Sequence, residues 1–199
     1  MTKKGKKRFR LLIYSRMWQR WAWPCALITI ASFVMWGVAP RTQLIYPPFR
    51  PLTLVPALAS LLILTYAYLA RRLAWVQCKP NKLYIRTPFH PLSVSYSRFK
   101  GVRPTTFAQV FDPEKERGAR RAWLYPYWNR TVIVVEISDY PLPRTWLHLW
   151  FSRYLLTPNS NGFVFLVDDW MTLSRQLDDA RANWEMRRAA RWQDMRARR

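Results

Sequence analysis

Residues 21–39 read WAWPCALITIASFVMWGVA and residues 52–70 read LTLVPALASLLILTYAYLA, two runs of 19 residues without a charged side chain. At about 1.5 Å of rise per residue, a helix of that length covers roughly 28 Å, close to the roughly 30 Å hydrocarbon core of a bilayer. A soluble helix as long would carry a polar stripe, and neither run has one. The pair predicts a two-helix transmembrane hairpin. Aromatic residues collect near both ends of the first run, Trp18, Trp21 and Trp23 at one and Trp36 at the other, where amphipathic rings are at home at the headgroup level. Pro24 is expected in the first turn of its helix, where a missing N–H costs nothing, and Pro56 lies near the start of the second. Residues 40–51, PRTQLIYPPFRP, form the connection. A secretory signal peptide fits poorly, because the first run is too long and too rich in Trp and Val38-Ala39-Pro40 is a weak cleavage site.

Charge orients the hairpin. The chain of 199 residues carries 33 Lys and Arg against 11 Asp and Glu, a net charge of +22. Its first carboxylate is Asp112, so the first 111 residues hold 18 cations and no acid. Such a surface suits a polyanion. A hairpin already holds the chain at a membrane, which makes anionic lipid headgroups the nearer polyanion and nucleic acid the more distant one. Lys3, Lys4, Lys6, Lys7, Arg8, Arg10, Arg16 and Arg20 precede the first run, Arg41 and Arg50 lie between the runs, and Arg71 and Arg72 follow the second. The positive-inside rule then places both termini in the cytoplasm, on the same side of the two spans. The basic start reads either as a polybasic clamp on anionic lipid or as a topology signal with no further role, with residues 11–14 as a short interfacial helix. Neither run holds an ionisable residue of the kind a proton or ion pathway needs, which argues against a transporter or pump.

From Leu73 onward, short runs rich in β-branched and aromatic residues alternate with turn signals. Strands are expected at residues 73–77, 83–87, 92–96, 105–111, 131–138, 146–150 and 162–167, with Pro80-Asn81 as a hairpin turn and Pro88 and Pro91 separating the next pair. Seven strands in so short a span predict an antiparallel sandwich or small barrel. One helix follows. Asp168 or Asp169 caps it, and Trp170, Leu173, Leu177, Ala180 and Trp184 form an apolar stripe that packs on the sheet. Past Glu185 arginine dominates. The expected division is a basic segment at 1–20, the hairpin at 21–70, a soluble domain at 71–185 and an Arg-rich helix extension at 186–199.

Seven strands closed by a C-terminal helix is the element order of pleckstrin-homology (PH) domains. With the hairpin before it, the chain resembles bacterial membrane proteins that carry a PH-like domain. Residues 94–102, VSYSRFKGV, resemble the family's strand with a Tyr followed by a short polar–apolar step and a valine. Residues 162–170, GFVFLVDDW, resemble its last strand running into the closing helix. The resemblance implies an α+β membrane protein, a seven-stranded PH-like β-barrel or sandwich behind a helical hairpin. It also implies a non-catalytic binding or scaffolding module, an accessory subunit contacting a membrane-protein complex or anionic lipid. Family members that bind phosphoinositides place Lys and Arg in the first hairpin; here Lys79, Lys82 and Arg86 surround the first turn, with Arg98, Lys100 and Arg103 later.

Residues 112–130, DPEKERGARRAWLYPYWNR, interleave Trp123, Tyr125, Tyr127 and Trp128 with arginines. The mixture fits an interfacial foothold, a protein hot spot or a stacking surface for single-stranded nucleic acid; it equally fits a strand edge with core-facing rings. Catalytic patterns are missing. His90 and His148, the two histidines, show no triad context, and five glycines build no phosphate loop. Cys25 and Cys78 have no His/Cys neighbours for zinc and read as reduced packing residues, so no metal or cofactor is expected. Two other functions stay open: nucleic-acid or ribosome binding at the membrane through the basic start and Arg-rich tail, and a small catalytic membrane protein using His148.

Overall fold

The computed structural model describes residues 7–42 and 47–197. The chain divides into two compact units. One holds residues 13–73; the other joins residues 7–12 to residues 74–197. The expected basic segment at 1–20 is thus shared between them, and the unit that holds residues 74–197 begins before the apolar runs as well as after them.

The first unit is helical. Helix α1 spans Leu12–Thr42, a 3-10 segment covers Pro47–Leu54, and α2 spans Val55–Leu73. Because α1 starts at Leu12, Pro24 lies well inside it rather than in its first turn, and removes one rung of the hydrogen-bond ladder. Pro56 is the second residue of α2, where no rung is lost. Both helices are long and apolar enough to cross a membrane. Their burial pattern is the reverse of a soluble pair. Small residues are hidden, namely Cys25, Ser32, Ala57, Ser60 and Ala67, while Trp23, Leu27, Ile30, Phe33, Leu58, Leu61 and Leu62 are exposed. Close approach through small side chains is how helices pack when their surroundings are as apolar as leucine. The hydroxyls of Thr29 and Thr65 donate to the carbonyls of Cys25 and Leu61, each at 2.8 Å, which satisfies them without water. Trp18 and Tyr68 meet edge-on at 5.7 Å, with Arg20 over Trp21 and Arg72 over Tyr68, so the start of α1 and the end of α2 share an aromatic–arginine belt.

The second unit contains two antiparallel sheets, of four and three strands, and no closed barrel forms among the described residues. The first sheet runs β1 (Phe9–Arg10), β2 (Trp75–Cys78), β3 (Lys82–Arg86) and β4 (Pro91–Ser95) in sequential order. Alternation in β3 and β4 sends Leu83, Ile85, Leu92 and Val94 inward with Phe9 and Val76. Lys79 N–H donates to Lys82 O at 2.9 Å, which places Pro80-Asn81 at the centre of the first turn. The second sheet runs β5 (Phe99–Thr106), β6 (Thr131–Ile137) and β7 (Gly162–Phe165). Its middle strand, TVIVVEI, barely alternates because both of its faces are covered. Pro104 is tolerated because β5 is an edge strand.

Two expected strands are helical instead. Residues 105–111 end β5 and turn into helix α3 (Phe107–Val110), started by a Thr106–Gln109 capping box in which Gln109 Oε1 accepts the Thr106 N–H. Residues 146–150 belong to helix α5 (Arg144–Trp150). Pro141 and Pro143 precede it and can donate to no ladder. Arg144 donates to the carbonyls of Thr157 and Pro158, both at 3.1 Å, and pins its start. Between α3 and β6 lie α4 (Ala119–Leu124), begun at Gly118 with φ of +56°, and a 3-10 turn at Tyr125–Tyr127.

Gly162 opens β7 where two backbones approach closely. Tyr140 O–H donates to its carbonyl and accepts its N–H, both at 2.9 Å, and an added Cβ would sit 2.7 Å from Val135 O. Gly162→Ala is expected to cost about 1–3 kcal/mol through overpacking. Hydrogen exchange at β6 and β7 amides measures this; unchanged protection would show that the sheet yields there at little cost.

Helix α6 (Trp170–Ala197) carries the expected stripe, with Leu173 and Leu177 fully buried, and lies against β2, β5 and β6. Asp169 is the cap. Its Oδ1 accepts from Thr172 N–H at 3.1 Å, and Lys7 Nζ donates to Oδ2 at 2.6 Å. The Lys7 hydrogen bond first, then Thr172, draws its carboxyl from 3.8 down to about 2. A folded value below the unfolded one gives stability that is present above about pH 4 and lost as pH falls toward 2. Amides 172 and 173 should therefore exchange faster as pH drops through that window, relative to their intrinsic rates. Asp169→Asn should abolish the pH dependence; its persistence would assign it to another group.

Candidate functional site

The described cations fall into separate groups. In β1–β3 the positions that alternate away from the core all point to one outer face, which carries Arg8, Arg10, Lys79, Lys82 and Arg86 around Trp75 and Tyr84. Arg8 lies 4.7 Å over the Trp75 ring, Trp75 and Tyr84 are 5.4 Å apart, and Lys79 lies 4.3 Å over Tyr84. Aromatic rings thus hold two of the cations in place, each contact worth about 0.5–1 kcal/mol at an exposed site. No acid occurs in this part of the chain to neutralise them. The face offers N–H donors and positive charge and no side-chain base, which suits binding a phosphate or similar anion.

Register divides this face by height. Arg10 pairs with Trp75 and Trp75 with Arg86, so Arg10 and Arg86 flank Trp75 in one row, at the end where the chain leaves β1 for α1 and returns from α2. Leu11 N–H donates to Ala74 O at 3.2 Å at that same end, and Leu12 N–H to Leu166 O at 3.0 Å. Lys79 and Lys82 lie at the opposite end, roughly 13 Å away by strand rise. There Tyr96 O–H donates to Lys79 O at 2.9 Å, and Arg187 reaches the Pro80 carbonyl. Burial pushes the Tyr96 hydroxyl well above its ordinary range, which fits a packing role.

Other sequence-predicted residues are elsewhere. Lys3, Lys4 and Lys6 lie outside the described residues. Lys7 is held by Asp169. Arg71 and Arg72 end α2. Arg98, Lys100 and Arg103 are on or beside β5 in the other sheet; Arg103 pairs with Glu136 at 3.0 Å and Arg98 donates to Asp139 O at 3.4 Å.

Burial divides the aromatic segment. Tyr127 and Trp128 are buried, and Trp123 packs on Tyr154 at 5.8 Å. Trp128 joins Phe107, Phe111 and Tyr154 in one internal cluster. Of the four rings, Tyr127 and Trp128 face inward, Trp123 is half-buried, and Tyr125, 76% exposed, faces outward. Their spacing fits α4 and the turn after it rather than a strand edge. Beside them Glu116 is buried and paired with Arg153 at 3.1 Å.

Sequence reasoning missed an exposed apolar group formed by Phe89, Trp146 and Leu149. The strand reading of residues 146–150 hid it, and Pro141 with Pro143 was the signal for a helix start. His148 is exposed on the same helix, and His90 lies in the turn before β4 with its backbone bonded to Thr87. Among the described residues, no three His, Cys, Asp or Glu side chains gather as a metal site would need. Cys25 and Cys78 are buried in different units and form no disulfide. Comparison of the chain with protein-family models, with curated proteins and with solved structures finds no match.

Proposed function

We propose that this chain is a non-catalytic module held in the inner membrane by α1 and α2, with both termini and the soluble unit in the cytoplasm. We infer that it binds anionic lipid headgroups and serves as an accessory subunit of a larger membrane-protein complex. The observation that carries the lipid reading is the Arg10–Trp75–Arg86 row at the end of the sheet where the chain leaves for, and returns from, the apolar helices. Trp75 is itself covered by Arg8 and Tyr84, and the exposed Arg10 and Arg86 on either side of it are what an anionic headgroup layer attracts. The β1–β2 pairing favours an even number of spans, since both sides of the helical insertion join one sheet. Positive charge before α1 and after α2 supports the cytoplasmic side. A PH-like fold is part of this proposal, supported by the four-plus-three strand order and by α6 lying against strands of both sheets.

Mild solubilisation of the full chain, followed by mass spectrometry of what co-purifies, tests it. Anionic phospholipid is expected with the wild type. Each cation near a charged surface is worth about 1 kcal/mol, so Arg10→Gln with Arg86→Gln should weaken retention by about thirtyfold. Equal retention by the double variant would remove the lipid reading. A second reading, nucleic-acid binding, is favoured by Lys79, Lys82 and Arg187 meeting at the far end of the sheet. It predicts co-purifying RNA released steeply by salt.

A further inference from the structure

The turn at residues 87–90 joins β3 to β4 at the same end of the sheet as Leu11 and Ala74, because β1 runs toward that end, β2 away from it and β3 back. Phe89 in this turn is 58% exposed. Its ring meets Trp150 at 5.6 Å, and Trp150 meets Trp146 at 5.9 Å. On α5, Trp146, Leu149 and Trp150 fall on one stripe, with Trp146 47% and Leu149 65% exposed. Leu147 on the inner side is fully buried and, with the Arg144 contacts, holds the helix rigidly under its apolar outer stripe. A helix that buries one leucine and shows water a tryptophan and another leucine is built for a second apolar contact.

We propose that Phe89, Trp146 and Leu149 form a wedge that enters the headgroup–acyl boundary of a bilayer, giving the soluble unit a second attachment beyond its two chain connections. The proposal rests on the membrane reading above. Position argues for lipid as the occupant. The chain passes from β1 to α1 through Leu11 alone and from α2 to β2 through Ala74 alone, so along the chain only residues 12–20 of α1 and residues 71–73 of α2 separate this end of the sheet from the two apolar runs. Phe89 lies within roughly 10 Å of the start of β2 by strand spacing. Composition argues the same way. Tryptophan, phenylalanine and leucine beside an exposed arginine, here Arg86, are the residues that stabilise segments lying in the interface.

Site-directed spin labelling of the full chain in vesicles of phosphatidylglycerol and phosphatidylethanolamine tests the wedge. Both native thiols are buried, so a nitroxide is directed to an introduced cysteine. A label at Leu149→Cys should lose access to an aqueous nickel chelate and gain access to oxygen, relative to one at Ser97→Cys at the opposite end of the sheet. Nickel access at 149 equal to that at 97 overturns the wedge. Loss of access to both reagents also overturns it, since that is the signature of a protein partner or second copy covering the face. A label at Leu62→Cys in α2 separates the two readings. If position 62 is open to oxygen and closed to nickel while 149 is aqueous, only the wedge fails; if both are aqueous, the membrane reading fails with it.

Discussion

Phe107→Ala is expected to destabilise the unit that holds the two sheets by about 3–5 kcal/mol. Phe107 is completely buried and its ring meets Phe111 at 4.9 Å, Trp128 at 5.4 Å and Tyr154 at 6.2 Å. Its backbone N–H donates to Arg130 O at 2.9 Å and that of Ala108 to Trp128 O at 3.1 Å, so β5, the 119–130 segment and residues 153–155 converge on this one side chain. Removing the ring leaves a cavity whose walls are themselves large rings, tied by those backbone bonds and slow to collapse inward. Tyr125→Ala, at an exposed position of the same aromatic segment, should stay within about 0.5 kcal/mol. Hydrogen exchange of β5 and β6 amides in detergent measures both. A loss below about 1 kcal/mol for Phe107→Ala would mean that the cluster repacks freely, and the inward reading of this segment would lose its energetic basis.

Leu62→Arg should abolish stable membrane integration of α2. Leu62 is 72% exposed and lies near the middle of the helix. Exchanging a mid-span leucine for arginine shifts the insertion free energy by about 3 kcal/mol, and this helix has no acidic residue to pair with the new charge. Resistance to alkaline extraction, compared with Leu62→Ala, gives the readout. Wild-type membrane retention of the arginine variant would falsify the bilayer as the solvent of these helices. Ala67→Leu probes the other face: Ala67 is fully buried, and a larger side chain there should loosen the Trp18–Tyr68 contact while leaving insertion intact.

Several elements were legible because their surroundings impose a repeat on composition. The apolar 19-residue runs fall within α1 and, from Val55 onward, α2, two helices long and apolar enough to cross a membrane. Residues 83–87 and 92–96 overlap β3 and β4, whose alternation follows from one wet and one buried face. The spacing from Trp170 to Trp184 is the packing face of α6. Within the candidate site, Arg8 and Arg10 were picked out by charge, and Lys79 and Lys82 by the resemblance to PH domains with cations in the first hairpin; that they share a face with Trp75, and that Arg86 rather than Lys82 stands level with Arg10, depends on register.

Residues 145–150, TWLHLW, show how a local pattern misleads: alternating apolar positions imply a half-buried strand only if a neighbouring strand is there to pair, and α5 has none. The T-x-x-Q box at 106–109 was a readable helix signal that the β-branched texture around it obscured. Composition along the chain was enough to establish two membrane-length helices and a cation-rich remainder, because solvent preference is a property each side chain carries with it. Strand pairing between Arg10 and Trp75, across the whole helical insertion, and the inward turn of Tyr127 and Trp128 came from folding alone. Which distant backbone completes a hydrogen bond, and which ring fills which space, depends on neighbours that no short stretch of residues contains.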